Sequence, residues 1–517
     1  MPSKITKKLG HDNAKFWRNS IYTSGPTDPV LYIFLGNHTP YANEASPNVI
    51  VDTTSSEKLV WDNMYAAKKV IASDVEFVVP RINWSGNTKF RQFDDTIDAT
   101  ALLSSNTSQN LKPMYIITTE RNVYKCVSNN SSANSTVEPS GNYITSNGNI
   151  STADGYIWKY MYNIKPSNKF LTADWMPTPT STNQLDYGVS SIGVVDGELT
   201  TILVTNGGAG YYNRIVTVSA FASGCSILTL ANTINVAQNM AVTGTGIFTG
   251  AYITAVDTPN SKITLSTSSI NAGGGTGNNI TISTRVDVVG DGIGAEASAT
   301  LNANGNVSKI TVTTIGTDYR QANVFVYGSG TNANARPILS PKYGHAYNPA
   351  VELGASNLML AVRIGEIDST ENGLISTSTS FRQYGLLVNP HKYGNTSVLS
   401  YSSANSVISQ TTDVTVVAGS NYTLDEYVYQ GTSTTTSSFY GYLNAQTSNK
   451  ARLTKVKGSF TPGLPLIGGT SGVSRTAISI AYPEFQPYSG DILYIENVLK
   501  KDREDGQAEN IKFVVTF

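Results

Sequence analysis

Charge is the scarcest ingredient of this chain. Asp, Glu, Lys and Arg make up 14% of its 517 residues, against ~25% in an average soluble domain. Such poverty argues against long solvated helices, whose exposed faces are held by Glu, Lys and Arg pairs. The two signs also cancel, with 36 basic against 37 acidic residues and a net charge of −1. No long-range field is left to gather nucleic acid or an anionic membrane. Lysines do cluster at the start, at Lys4, Lys7, Lys8 and Lys15. They read as a solvated terminus in preference to a phosphate-binding arm.

Cysteine is nearly absent as well. Cys126 and Cys225 lie in segments of different character, too sparse for a disulfide scaffold and too far apart for a zinc site. Both read as small buried hydrophobes in a reducing cytosol. No apolar run approaches the ~18 residues of a membrane span, and none follows the first lysines as a signal peptide would require.

Convergent chemistry is the third shortage. The four histidines, His11, His38, His345 and His391, stand alone in the sequence, without an His-Glu-x-x-His helix or a close His/Cys pair. There is no nucleophile elbow and no P-loop. The glycine run Gly273–Gly277 lacks the strand-then-helix setting of a phosphate site. Asp287, Asp291 and Gly292 have the start of a calcium loop but not its later ligands, so a β-turn is preferred. Asp94-Asp95 offers a carboxylate pair of the kind a glycosidase uses, but any chain with 37 acidic residues does. The expectation is a protein that is not an enzyme, with no catalytic, cofactor-binding or metal residues, no cofactor, no nucleic-acid partner and no membrane insertion.

What fills the chain instead is Ser, Thr, Asn and 44 glycines. Asn and Gly accept positive φ in tight turns, and Thr packs on a pleated surface. The expected fold is mainly β, made of sandwich or barrel units with a few short helices, in a multi-domain chain whose length suits three or four units.

Residues 12–185 are rich in aromatics and hold all five tryptophans, Trp17, Trp61, Trp84, Trp158 and Trp175. Asp12-Asn13 is placed to cap a helix running to about Tyr22. Leu59, Val60, Met64, Ala67 and Val70 fall at helical spacing and predict a second helix over 57–72. Strands are predicted at 30–35, at 156–164, and as a hairpin at 114–118 and 122–127.

An internal repeat comes next. DGELTTILVTNGGAGYYNRIVTV (196–218) aligns without gaps onto NGNVSKITVTTIGTDYRQANVFV (304–326), a shift of 108 residues. Each copy reads as two alternating strands joined by a Gly-Tyr turn. The copies are either strand pairs recurring within one sandwich or two related β-units in succession. Residues 222–286 read as a nested β-unit between them. Residues 397–482 carry five short strands with Gly turns, suiting a small barrel or sandwich. Two more strands at 491–496 and 511–517 flank a charged loop, Lys500 to Glu509, read as a solvated hairpin tip.

The aromatic segments carry a resemblance. In order they are FWRNSIYTSGPTDPVLYIFLGN (16–37), VWDNMYAAKKVIASDVEFVVPRINW (60–84), NVYKCV (122–127), STVEPSG (135–141), DGYIWKYMYNI (154–164), FRQYGLLVNP (381–390), SGDILYIENV (489–498) and IKFVVTF (511–517). This series resembles the baseplate wedge protein of T-even-like contractile-tailed phages that forms a homodimer within each wedge. The order of the pieces carries the likeness, and no single piece does. It implies a non-catalytic virion part of the tail baseplate, assembled in the host cytoplasm, that pairs with itself and links other wedge proteins.

The resemblance divides the chain. Residues 1–185, 346–396 and 484–517 would form the scaffold, and 186–345 and 397–483 would be inserted β-domains. The alternative is an adhesin whose inserts contact a tail fibre or a host-surface glycan, with Tyr211, Tyr212 or Tyr319 stacking on sugar if exposed.

Overall fold

The computed structural model describes residues 6–23, 28–141, 149–180, 187, 194–275, 278–364, 379–400, 407–502 and 509–517. The protein is mainly β, with four helices among these residues, none longer than 17 residues. It divides into two compact units, Met1–Val78 with Ser356–Phe517, and Val79–Ala355. The first cut falls inside 1–185, the segment expected to be one scaffold part.

In the first unit, an antiparallel five-stranded sheet runs in the order Val407–Ser409, Met64–Lys69, Leu31–Gly36, Ser380–Val388, Asp491–Asp502. Every residue of Leu31–Gly36 is buried, as its unbroken apolar run requires of a central strand. Tyr32, Phe34, Trp61, Met64, Leu387, Ile408 and Phe485 share one core. A second sheet sets Asn357–Ile364 between Val75–Val78 and Glu509–Thr516. The helix Lys7–Thr23 meets this sheet through His11 stacked on Phe77, 4.8 Å between ring centres, and through Arg18 paired with Glu76 at 3.3 Å.

Six strands close a barrel in the order Thr412–Val416, Lys450–Gly458, Phe439–Thr447, Tyr427–Gln430, Pro465–Gly468, Ser474–Ala481. Alternation puts Val414, Val428, Phe439, Leu443, Leu453 and Leu466 inside.

In the second unit, Tyr115–Ile117, Asn122–Ser128, Ile157–Asn163 and Asn149–Ser151 form one sheet. Its Tyr124, Cys126 and Trp158 share a core with Phe90. A six-stranded sheet has the order Ala322–Tyr327, Arg285–Gly290, Ile293–Leu301, Val307–Thr317, Leu199–Ala209, Thr331–Leu339. Two three-stranded sheets spanning 214–283 have their own core, including Val216, Leu228, Val242, Ile263 and Ile282.

The first strands of the two repeat copies are thus neighbours in one sheet, with Ile202 opposite Ile310. The second strands diverge. Arg214–Thr217 pairs with Asn279–Ser283 in the smaller sheets, whereas Ala322–Tyr327 pairs with Arg285–Gly290 in the six-stranded one. A second correspondence completes the pattern. Asp287–Leu301 aligns onto Phe325–Leu339 with a shift of 38, matching Val288, Gly290, Gly292, Ala295, Ala297 and Leu301 to Val326, Gly328, Gly330, Ala333, Ala335 and Leu339.

Around it the tyrosines repeat as well. Tyr211 and Tyr319 are buried, and each hydroxyl accepts an N–H at 3.3 Å, from Ala333 and Ala295 respectively. Gly328 and Gly330 cradle Tyr211, while Gly290 and Gly292 cradle Tyr319; a Cβ at Gly292, Gly328 or Gly330 would overlap the ring, and one at Gly290 would overlap the Gln321 carbonyl. Gly208 and Gly316 turn the chain before each tyrosine at φ of 62° and 61°, a region glycine enters without steric cost.

Three expectations are corrected. The first helix begins at Lys7, and Asp12 is paired with Lys8 inside it at 2.5 Å instead of capping it. The second spans only Thr54–Asn63, capped by Thr53, and Met64–Lys69 is a buried strand. Met64 and Ala67 suit either period, and burial on both faces selects the strand. Asp491–Asp502 and Glu509–Thr516 do not form a hairpin, since they pair with different sheets; residues 503–508 of the charged loop lie outside the described residues.

Candidate functional site

The densest meeting of ionisable groups lies in the second unit. Asn122–Ser128 and Ile157–Asn163 are apolar strands, yet each carries a buried lysine, and the register sets Lys125 directly opposite Lys159. Like charges facing each other in a sheet repel. Two glutamates offset them: Lys125 Nζ lies 2.9 Å from Glu352 Oε2, and Lys159 Nζ lies 3.3 Å from both oxygens of Glu198.

His345 joins the two pairs. Lys125 Nζ is 2.8 Å from its Nδ1. An ammonium only donates, so Nδ1 accepts and the ring proton sits on Nε2. From there it is donated to Thr200 Oγ1 at 2.8 Å. Phe93 closes one side, its ring centre 3.9 Å from Lys125 Nζ.

The titration behaviour is a consequence of this geometry. Burial, reinforced by the Lys125 charge, pushes His345 down to about 3, so the ring is neutral. Burial alone would raise Glu352, but the Lys125 ammonium outweighs it and holds the carboxyl down to about 2. Burial raises Glu198 and lowers Lys125. Two ammonium and two carboxylate groups around a neutral imidazole sum to zero charge. Lys125 and His345 are 0% exposed, and Lys159 and Glu198 1%, so no substrate atom reaches them. The arrangement can hold strands together; it offers no accessible base or nucleophile.

The other residues singled out in the sequence have structural partners of their own. Asp94 and Asp95 clamp one guanidinium, with Arg336 nitrogens at 2.7 Å and 2.5 Å. Both are thereby committed to an ion pair. Asp291 accepts the backbone N–H groups of Arg320 and Gln321 at 2.9 and 3.0 Å, which lowers its pKa. Ser329 does the same for Tyr212 N–H at 3.0 Å, so Asp291 is the turn cap of one repeat. Asp287 pairs with Arg285.

His38 Nδ1 meets Asp425 Oδ1 at 2.5 Å and its Nε2 meets Thr454 Oγ1 at 2.6 Å, and burial lowers its pKa. His391 lies at an isolated bridge to Val398. Cys126 is buried, which raises its thiol pKa; Cys225 is half-buried, and both are free. Gly273 bridges Phe221, while residues 276 and 277 of the glycine run, like Lys4, lie outside the described residues. Among the described residues no three His, Cys, Asp or Glu side chains gather as a metal would need, and no helix is long and apolar enough to cross a membrane.

The described residues also border open clefts, among them these two. One, in the second unit, has a volume of about 630 Å³ and is bordered by Arg91, Gln92, Asn129, Thr201 and Lys309. The other, in the first unit, has a volume of about 510 Å³ and runs along the barrel strand Lys450–Gly458, past Tyr393, Tyr482 and Tyr488. No family model matches the chain, and no curated protein matches it.

The histidines are solitary in the sequence, and in the fold His38 and His345 are not. His345 meets Lys125 and two glutamates, Glu198 and Glu352, from distant parts of the sequence. The signal that points to the cluster is the lysine inside each of two apolar strands, NVYKCV and IWKYMY, since a charge at such a place must be paired.

Proposed function

We propose that this protein is a structural, non-catalytic subunit of a contractile-tail baseplate wedge, dimerising and linking neighbouring wedge proteins. One observation carries the reading beyond the ordered series of segments. Of the eight pieces of that series, those at 16–37, 60–84, 381–390, 489–498 and 511–517 contribute the strands Leu31–Gly36, Met64–Lys69, Val75–Val78, Ser380–Val388, Asp491–Asp502 and Glu509–Thr516. Met64–Lys69, Leu31–Gly36, Ser380–Val388 and Asp491–Asp502 are successive hydrogen-bonded neighbours in one sheet of the first unit, although residues 70–379 intervene in the chain, and Val75–Val78 and Glu509–Thr516 flank Asn357–Ile364, a strand outside the series, in the other sheet. Pieces that share a core are what a common scaffold predicts. The regions outside the series, 199–339 and 412–481, have cores of their own.

The outer strand Asp491–Asp502 supports assembly. It pairs on one side with Ser380–Val388, and its Leu493, Tyr494 and Leu499 are exposed. A long edge of this kind is a surface for another chain. The role is tested with an antibody raised against the purified chain and gold-labelled contractile-tailed particles. Label at the tail's end plate is expected, and label confined to capsid or absent from particles overturns the reading. Light scattering at tens of micromolar should give twice the 55.3 kDa chain mass; a monomer alone removes the homodimer from it.

A further inference from the structure

The cleft beside the barrel combines two features that the scaffold does not use. The first is an ammonium without a carboxylate. Lys455 lines the cleft, half-buried, and donates to Thr39 Oγ1 at 3.2 Å, with its Nζ 5.2 Å from the Tyr442 ring centre. Among the described residues no carboxylate lies within ion-pair distance of it. Asp62 and Asp425 act on it only from farther away, and burial lowers its pKa. Its neighbour on the strand, Lys457, is satisfied: Asp62 Oδ1 at 3.1 Å and Tyr488 Oη at 2.7 Å. A partly desolvated cation without a counter-charge favours an anion arriving from the solvent.

The second feature is a set of flat rings lining the same cleft. Tyr393 and Tyr482 stack at 4.8 Å with 10° between their planes, yet are 36% and 57% exposed, so each is open to the cleft or its rim. Tyr488 is 48% exposed and holds a left-handed backbone, φ 60°. From Tyr442 the rings continue over the barrel face to Tyr427, 5.6 Å away, which stacks on Tyr440 at 5.1 Å. Alternation produces this face, because Val428 and Gln430 point inward and Tyr427 and Tyr429 outward. Thr412 and Ser459 add hydroxyl groups to the wall.

We propose that this cleft binds a carboxylate-bearing saccharide, with the acidic group on Lys455 and sugar rings laid against Tyr393, Tyr482 and Tyr488. The cleft's 510 Å³ suits a few sugar rings. Tyrosine presents an apolar face with a polar tip, which matches a pyranose with its C–H face and its hydroxyls. A nucleic acid strand fits less well, since it needs a row of cations along its phosphates. Here Lys457 is already neutralised and one charge remains. The inference stands independently of the baseplate role, which concerns assembly through other surfaces.

The test is titration of the full-length protein with hexagalacturonate, maltohexaose and a thymidine hexanucleotide, monitored by intrinsic fluorescence. Saturable binding of hexagalacturonate is expected, at least tenfold tighter than maltohexaose, and weakened by added salt because the pairing is ionic. Lys455→Gln and, separately, Tyr482→Ala should each weaken it about tenfold, and Lys455→Arg should retain it. Tyr482 is exposed, so its variant folds even if Lys455→Gln does not. Absence of hexagalacturonate binding overturns the proposal. So does equal affinity for maltohexaose or the hexanucleotide, or binding that neither Lys455→Gln nor Tyr482→Ala weakens.

Discussion

The six-stranded sheet of residues 199–339 and the barrel of residues 412–481 are both Ser/Thr-rich β-structures, but each is tied to its own unit differently. At the sheet, Glu198 and Thr200 on one side and His345 and Glu352 on the other converge on Lys125 and Lys159 in full burial. At the barrel, the bonds are His38 to Asp425 and Thr454, Lys455 to Thr39, and Lys457 to Asp62, whose side chains are 44% and 26% exposed. A buried ion network adds little net stability when whole, because desolvation offsets attraction, but losing one member strands another charge. The difference therefore predicts unequal tolerance. A cut at 186 and 345 removes Glu198 and His345 from the network, whereas a cut around the barrel breaks bonds whose partners can turn to water.

The sharpest way to break the contrast is Lys125→Met. Glu352 would be left buried without its cation, at a cost of about 3–5 kcal/mol. Urea unfolding should show that loss in the transition of the second unit. Replacing Glu352 by Leu in the same protein should recover a large part of it, since the apolar pair strands no charge. A single Lys125→Met variant as stable as the parent would show that water reaches the cluster.

At the barrel, His38→Ala should cost about 1–3 kcal/mol, the usual result of leaving buried hydrogen-bonding groups unmade. The barrel's own core of Val414, Val428, Phe439 and Leu453 does not include His38, so the barrel should stay folded. Hydrogen exchange of the strand Phe439–Thr447 should then remain slow while exchange near Thr454 quickens. Loss of protection throughout the barrel would make His38 part of its core.

The sequence makes the fold class legible because composition and period-2 alternation act locally. The expected segments TDVTVVAG and EYVYQG contain the barrel strands Thr412–Val416 and Tyr427–Gln430, FYGYLN opens Phe439–Thr447, and ARLTKVKGSF covers all but the first residue of Lys450–Gly458. TAISIA is the latter part of the fifth, Ser474–Ala481. The sixth, Pro465–Gly468, has four residues and opens on proline, too short to alternate visibly. Met64–Lys69 is hidden because its short apolar start, Met64 to Ala67, fits a helix equally well. The ionic cluster is illegible for a different reason. Its members become neighbours only through the register that sets Lys125 against Lys159 and through strand ends near Glu198 and His345. The 38-residue shift is legible in principle, as V-x-G-x-G-x-x-A-x-A occurs in both stretches.

The network should also respond to acid, as should the barrel contact of His38, whose pKa burial lowers too. His345 is held at about 3 in the folded protein, against ~6.5 in an unfolded chain. Between these values the unfolded chain binds the extra proton, so stability is full above pH ~6.5 and falls as pH drops toward the folded value. The slope is at most about 1.4 kcal/mol per pH unit for one proton. Glu198, raised by burial, contributes in the opposite sense and is common to parent and variant. Subtracting the profile of His345→Gln from that of the parent between pH 6.5 and 4.5 should leave the histidine slope alone. A flat difference would mean that the ring is protonated in the folded state.

The smallest effects test whether the two halves of the six-stranded sheet are equivalent in energy as they are in geometry. Tyr211 and Tyr319 are 2% and 4% exposed, and each hydroxyl accepts one backbone N–H at 3.3 Å, from residues that correspond under the 38-residue shift. Tyr→Phe at either position removes that acceptor and leaves the ring in its glycine cradle. The cost should be about 0.5–1.5 kcal/mol at each site, and the two values should agree within a few tenths. The sites differ in the strand that each turn leads into: the chain after Tyr211 enters the smaller sheets through Arg214–Thr217, and the chain after Tyr319 stays in the same sheet through Ala322–Tyr327. A Tyr319→Phe cost several times that of Tyr211→Phe would therefore show that the continuing strand, and not the cradle, sets the energy of the turn.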